Sequence, residues 1–257
     1  MELDEILASL KSGKITVPKA RKLLSLYSIE KVEDFAKIDT GRKNRRGIPE
    51  VIFAENKQLS EIKKIAQKVL KNSNSVLISR LKKNDYEKIL EFSKKNKLKT
   101  ELGKNSSSIL IYKKPLKKTQ GKVGILTAGT SDIGVAEEAR LMCEAMNCKC
   151  MTSYDVGVAG IHRAMPVLKE FIKNDVDAII VVAGMEGALA TLVSSSVNVP
   201  VIGVPTSVGY GYGEKGVAAL ASMLQSCALG LAVVNIDNGI GAGAMAANIA
   251  KRASRKS

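Results

Sequence analysis

Few residues in this 257-residue chain have the right type and setting for chemistry. Histidine occurs once, as His162, with Arg163 beside it in the run DVGVAGIHR (155–163). An imidazole titrates near neutral pH and can transfer a proton, although a purely structural role is the plain alternative. Glu186 stands in AGMEGA (184–189), an apolar run lined by glycine, where a carboxylate needs a partner or a task. Capping the next helix would also account for it. AGTSD (128–132) sets glycine beside Thr130, Ser131 and Asp132, which suits an anion cradle at a helix N-terminus or ordinary capping by Ser131 or Asp132. Cys143, Cys148 and Cys150 have no zinc spacing and only one histidine to assist them, so they read as small core residues. Cys227, in MLQSCALG, would share that fate on pattern alone. The first loop has neither G-x-G-x-x-G nor a P-loop, so a Rossmann dinucleotide site and an NTPase lack support.

The elements that must position these residues follow from apolar periodicity. Helices are expected over 2–11, 17–27, 58–72 and 84–96, with strands at 76–79 and 108–112. The basic run TGRKNRRGIPE (40–50), broken by Gly41, Gly47 and Pro49, reads as a loop. KKPLKKTQGK (113–122) is a connector, and the domain boundary is placed near residue 118, giving domains 1–118 and 119–257. Beyond it, strands at 123–129, 148–156, 177–184, 200–205 and 231–235 alternate with helices at 133–147, 162–174, 186–196, 213–229 and 238–252. Apolar strands alternating with helices imply a parallel sheet covered on both faces. Ligands of such sheets sit beyond the carboxyl ends of the strands, which selects the loops 128–132, 155–160, 184–187, 205–213 and 235–241.

Charge divides the chain in the same place. Residues 1–120 hold 29 basic and 14 acidic side chains and residues 121–257 hold eleven of each, so the first part carries the whole net charge of +15. Its lysines are dispersed among glutamates, and Tyr27, Phe35, Phe53, Tyr86, Phe92 and Tyr112 form no basic–aromatic stripe, which argues against a nucleic-acid platform. Two uncharged stretches, 187–213 and 216–236, are interrupted by Pro200, Pro205 and Gly230 and read as buried sheet elements rather than membrane spans. With no secretory leader and no disulfide framework, a cytoplasmic location is expected.

Taken together, the loops resemble a known family. The stretch from residue 122 to about 250 is similar to the aminoimidazole ribonucleotide carboxylase (PurE-like) family in PVIGVP (200–205), AGTSD and GIHR, though AGMEGALA lacks that family's histidine. The longer strings DVGVAGIHR, VVAGMEGAL (181–189), PVIGVPTSVGYG (200–211), MLQSCALG (223–230) and VVNIDNGIGA (233–242) resemble a PurE-related subfamily. These are the LarB-type pyridinium-3,5-biscarboxylic acid mononucleotide synthases, which open the nickel-pincer nucleotide pathway. GIPEVIFAENK (47–57) extends the likeness into the first half. The resemblance implies a three-layer α/β, flavodoxin-like C-terminal domain preceded by a smaller basic α/β domain.

The implied reaction carboxylates the pyridinium ring of nicotinic acid adenine dinucleotide with CO2 and releases AMP. A pyridinium is too electron-poor to attack CO2, and addition of a thiolate would make a neighbouring ring carbon nucleophilic. By the resemblance Cys227 matches the nucleophile, Glu186 the proton acceptor, and His162 and Arg163 the groups that orient carboxylates. Thr130, Ser131 and Asp132 with Gly129 would hold the ribose-phosphate side; Gly184, Met185, Pro205, Thr206 and Ser207 would line the same pocket. Arg45 and Arg46, in a run of four cations, are candidate phosphate clamps. Magnesium is implied without a recognisable ligand set, Asp132 and Asp237 being candidates; flavin, haem and structural zinc are not expected. A homo-octamer is implied, and the small residues of GAGAMAANIA (241–250) would suit close helix packing. The alternatives are a purine-pathway carboxylase or mutase and a nucleic-acid-binding module on an inert scaffold.

Overall fold

The computed structural model describes residues 3–24, 29–32, 36–39 and 42–254. They form two compact units: Met1–Thr100 with Leu110–Pro115, and Glu101–Ile109 with Leu116–Ser257. Residues 101–109, which precede the connector, group with the second unit.

The first unit opens with helices α1 (Leu3–Lys11) and α2 (Val17–Leu24). The last turn expected of the second helix, at 25–27, lies outside the described residues. Strands β1 (Ile29–Val32) and β2 (Ala36–Asp39) pair antiparallel. The 40–50 run is not wholly a loop, because α3 (Arg42–Arg46) occupies its centre. Its glycines bound RKNRR rather than interrupt it, and Gly47, at φ 71°, closes the helix. There follow β3 (Val51–Phe53), α4 (Leu59–Asn72), β4 (Ser75–Ser79), α5 (Lys83–Lys95), β5 (Lys99–Leu102) and β6 (Ile109–Tyr112), in a sheet of order β3-β4-β6-β5. Helix α4 buries Ile62, Ile65, Ala66, Val69 and Leu70, the stripe that 3.6-residue spacing aligns, and leaves its lysines outside.

The second unit alternates β7 (Lys122–Thr127), α6 (Ile133–Ala145), β8 (Lys149–Ser153), α7 (Ile161–Lys173), β9 (Ala178–Ala183), α8 (Ala188–Ser196), β10 (Val201–Pro205), α9 (Val217–Leu224), β11 (Leu231–Val233) and α10 (Gly239–Ala253). All five strands are parallel, in the order β8-β7-β9-β10-β11. This is the flavodoxin-like order, whose direction reverses between β7 and β9. Strand β9 is buried along its whole length, as a central strand covered on both faces must be. On one face α7, α8 and α9 contribute Leu168, Phe171, Leu189, Val193 and Met223 to the core. Phe171 lies on Gly124 of β7 so closely that a Cβ there would come within 2.5 Å of the ring.

On the other face α10 packs on α6 of the same chain. A Cβ on Gly243 would meet Ala139 O at 2.5 Å, and Ala242, Ala246, Ala247 and Ala250 are fully buried. The small residues expected to serve subunit packing are therefore used within one chain. No helix among the described residues is long and apolar enough to cross a membrane.

Candidate active site

Three strand-to-helix loops of the second unit converge where the sheet order reverses. They enclose a cavity of about 190 Å3 lined by Gly129 and Asp132 after β7, by Gly157–Ala159 and Arg163 after β8, and by Gly184, Met185 and Glu186 after β9. Val208, beyond β10, closes one side. The loops are fixed by backbone bonds continuing the sheet: Ala128 N–H donates to Val182 O (2.9 Å) and Thr206 N–H to Ala183 O (3.0 Å). Gly184 has no room for a side chain, since a Cβ would lie 2.2 Å from Val208 O and 2.7 Å from Thr206 Oγ1. Met185 takes φ 52° and Gly187 φ 67°, a tight turn that sets Glu186 between them. A methionine in the left-handed region is strained by about 1–3 kcal/mol, a cost that recurs at functional sites. Glu186 is exposed at the cavity.

Asp132 is a buried latch. Only 3% of it is exposed; Thr206 Oγ1 donates to its Oδ1 (2.7 Å) and Gly129 N–H to its Oδ2 (2.8 Å). Burial raises its carboxyl above the usual aspartate range, against the hydrogen bonds from Thr206, Gly129 and Gly184. Both oxygens are thus engaged by the protein, and the side chain braces the loop instead of presenting a free anion. Ser207 N–H donates to Asp237 Oδ1 (2.9 Å), which braces the loop after β10. Among the described residues no group of three or more His, Cys, Asp or Glu side chains can hold a metal. With Asp132 occupied as well, the residues present do not fit a protein-held magnesium.

Arg163 lines the cavity and donates from Nη1 to Asp155 Oδ2 (3.0 Å), a partner that the sequence reading did not single out. His162 is exposed and does not line the cavity. Consecutive helical residues diverge by about 100°, so α7 directs only one of the pair inward. Thr130 and Ser131 are exposed beside Gly129; Pro205 and Thr206 are buried beneath the cavity, and Ser207 is exposed. None of these five lines it.

A second support was also missed. Glu137 of α6 accepts from Arg140 Nε (2.8 and 2.9 Å), from Lys104 N–H (2.9 Å) and from Tyr154 Oη. Tyr154 immediately precedes the cavity loop, so this network anchors the end of β8. Burial pushes the Glu137 carboxyl up, but the Arg140, Tyr154 and Lys104 hydrogen bonds outweigh burial and hold it below the usual glutamate range. Residue pattern alone gave no signal for it, because its members come from three separate segments.

Cys227 is exposed and does not line the cavity. Helix α9 ends at Leu224 rather than running to 229, and Cys227 lies between it and β11, at the amino end of the strands. Ser226 Oγ accepts from Ala228 N–H (3.2 Å) and from Thr191 Oγ1 (2.9 Å), local bonds that compete with further helix. Within one chain Glu186 and Cys227 therefore occupy opposite ends of the sheet. Cys143 and Cys148 are buried as expected, burial pushing the Cys148 thiol up to about 11, while Cys150 is half-buried. Arg45 and Arg46 belong to the first unit, where Arg45 pairs with Asp39 and Arg42 with Glu50 (3.4 Å).

Known proteins agree with this architecture. Residues 29–110 match the LarB/PurE-like N-terminal domain and residues 122–256 match AIR carboxylase. An uncharacterised protein of Methanocaldococcus jannaschii is 45% identical over 97% of each chain. A probable N5-carboxyaminoimidazole ribonucleotide mutase of Methanothermobacter thermautotrophicus is 32% identical over 50% of this chain and 37% of its own. The N5-carboxyaminoimidazole ribonucleotide mutase of Thermotoga maritima is 30% identical over 50% of this chain and 74% of its own. A flavodoxin-like sheet with its cavity at the switch point, joined to this first domain, makes the chain a member of the PurE-like AIR carboxylase family with a LarB-type N-terminal domain.

Proposed function

We propose that this chain carboxylates the pyridinium ring of nicotinic acid adenine dinucleotide at its 5-position and then hydrolyses the phosphoanhydride. The products are pyridinium-3,5-biscarboxylic acid mononucleotide and AMP, the first step toward a nickel-pincer nucleotide, in the cytoplasm. The observation carrying this reading is the LarB-type domain at residues 29–110, joined to a carboxylase domain that also contains a cysteine in SCALG.

In this reading the Cys227 thiolate adds to the ring carbon para to nitrogen, forming a C–S bond and leaving an electron-rich dienamine. The adjacent carbon attacks CO2; Glu186 takes the proton from that carbon, and expulsion of the thiolate restores the ring. Arg163 neutralises the carboxylates, and the N-terminus of α8, capped at Gly187, favours negative charge beside them. Water then attacks the anhydride phosphorus. No step is assigned to protein-held magnesium.

Because Glu186 and Cys227 are at opposite ends of one sheet, the reading assigns the thiolate to a second copy within a homo-octamer. Exposed Leu224 and Leu229 (66% and 94%) flank that cysteine and are surfaces a second copy would cover. The test is to incubate purified protein with the dinucleotide, bicarbonate and magnesium. The expected result is a mononucleotide heavier by one carboxyl group, with AMP. Turnover of N5-carboxyaminoimidazole ribonucleotide instead would place the chain with the mutases; neither product would remove the assignment.

A further inference from the structure

Arg163 reaches the cavity of the second unit from the start of α7 and, among the described residues that line it, is the one cation. Its guanidinium is held on two sides. Nη1 donates to Asp155 Oδ2 (3.0 Å), and the Nε edge lies on Gly160, where a Cβ would come within 2.7 Å of Nε and 3.2 Å of Nη2. A residue without a side chain is what lets the group lie there. Asp155 is fixed in turn by its backbone. It takes φ 60°, a left-handed conformation costly for most residues but well tolerated by Asp and Asn. Its N–H donates to Oγ1 of the fully buried Thr127 (3.1 Å), and Val156 N–H donates to Thr127 O (3.0 Å). The end of β7 thus sets where the Asp155 carboxylate stands, and that carboxylate sets where the guanidinium stands.

Stability does not account for the pair. The Arg163 and Asp155 side chains are 41% and 50% exposed, and exposed ion pairs add little to folding. Recognition does account for it. An arginine carries five N–H donors in a rigid fork and no acceptor, so with one arm on Asp155 donors remain for a ligand. A cavity of about 190 Å3 is smaller than the sites that enclose whole ligands, and it admits one substituted ring. A planar carboxylate on that ring can accept two parallel bonds from a fixed fork. The matching carboxamide turns an NH2 donor toward the same donors and leaves one of them unpaired.

We infer that Asp155, acting through Arg163 with Gly160 as its seat, is a positioning residue that makes the cavity prefer a ring carboxylate to the corresponding carboxamide. This rests on the carboxylation reading for the identity of the ring. Its test reads binding apart from turnover, by calorimetric titration of the full chain with nicotinic acid mononucleotide and with nicotinamide mononucleotide. The wild type is expected to bind the acid at least about tenfold more tightly. Asp155→Asn keeps the turn and the side-chain shape while removing the charge. Gly160→Ala pushes the guanidinium off its seat without changing any charge. Each should lower the acid-to-amide ratio by about threefold or more at an unchanged melting temperature, and Arg163→Gln should bring it to about one. With the full dinucleotide, Asp155→Asn should raise KM more than it lowers kcat, because the carboxylate it serves is present before the reaction begins. An unchanged ratio in Asp155→Asn overturns the positioning role, and a wild type that binds acid and amide equally, or binds neither, overturns the preference. An acid preference that moves with these variants, in protein that makes no carboxylated product, removes the carboxylation reading alone. Carboxylation with an unmoved ratio removes the role of Asp155 alone.

Discussion

The two ends of the second unit's sheet are built from the same strands but do different work. At the carboxyl end three loops close on a small cavity and are braced from behind by Asp132, Thr206 and the Glu137–Arg140–Tyr154 network. At the amino end the turns are short and open, and Cys227 stands exposed between α9 and β11. A parallel sheet joined by right-handed crossovers must place every strand-to-helix loop at one end and every helix-to-strand turn at the other. A base on one kind of connection and a nucleophile on the other cannot meet inside one chain. The difference teaches that the proposed chemistry requires an assembly.

The strongest way to break this comparison is at the two groups proposed to react. Cys227→Ser is expected to lower carboxylation by roughly a thousandfold or more, read by product mass spectrometry. Glu186→Gln should cost about 10²–10⁴-fold. Unfolding and refolding the two inactive variants together should then restore up to about a quarter of wild-type activity, because some sites receive a sound residue from each copy. No recovery, with either variant folded and the wild type active, would place both residues in one chain's site and defeat the two-copy assignment.

Next comes the brace behind the cavity. Glu137→Gln breaks a buried ion pair and should lose roughly 3 kcal/mol at neutral pH by denaturant unfolding. The sign of its pH dependence follows from the lowered carboxyl. In the wild type this contribution is complete above the ordinary glutamate value near 4.5 and fades as pH falls through the lower folded value. The gap between wild type and variant should therefore narrow in acid; a gap that widens there would contradict the network.

Thiol labelling sharpens the contrast without disturbing the fold. Cys227 should react first with an alkylating reagent, whereas Cys143 and Cys148, both fully buried, should wait for unfolding. Peptide mass spectrometry reads the order. The smallest effect is expected at His162, which is exposed outside the cavity: His162→Ala should alter stability by no more than about 0.5 kcal/mol. A loss of carboxylation as large as that at Glu186 would return the imidazole to the chemistry.

Much of the second unit was legible in the chain of residues. Apolar β-branched runs alternating with amphipathic stretches located all five strands, and the rule for parallel sheets selected the loops that form the cavity. Gly129, Asp132, Arg163, Gly184, Met185 and Glu186 were among the residues named, and they do line it. The first unit was less legible. The short strands β1, β2, β3 and β5 are only three or four residues long, too brief for periodicity to register. The helix at Arg42–Arg46 was hidden because breakers at both of its ends looked like breakers throughout.

The sequence by itself determined which segments are strands and helices, where charge is concentrated and which loops carry polar groups, since these depend on neighbours along the chain. Only the tertiary structure decided that Asp132 is a buried latch, that His162 turns away while Arg163 turns in, and that Glu186 and Cys227 stand at opposite ends. It also assembled Glu137, Arg140, Tyr154 and Lys104 into a support. Side-chain direction and burial are set by packing between distant segments, and no local pattern encodes which of them will meet.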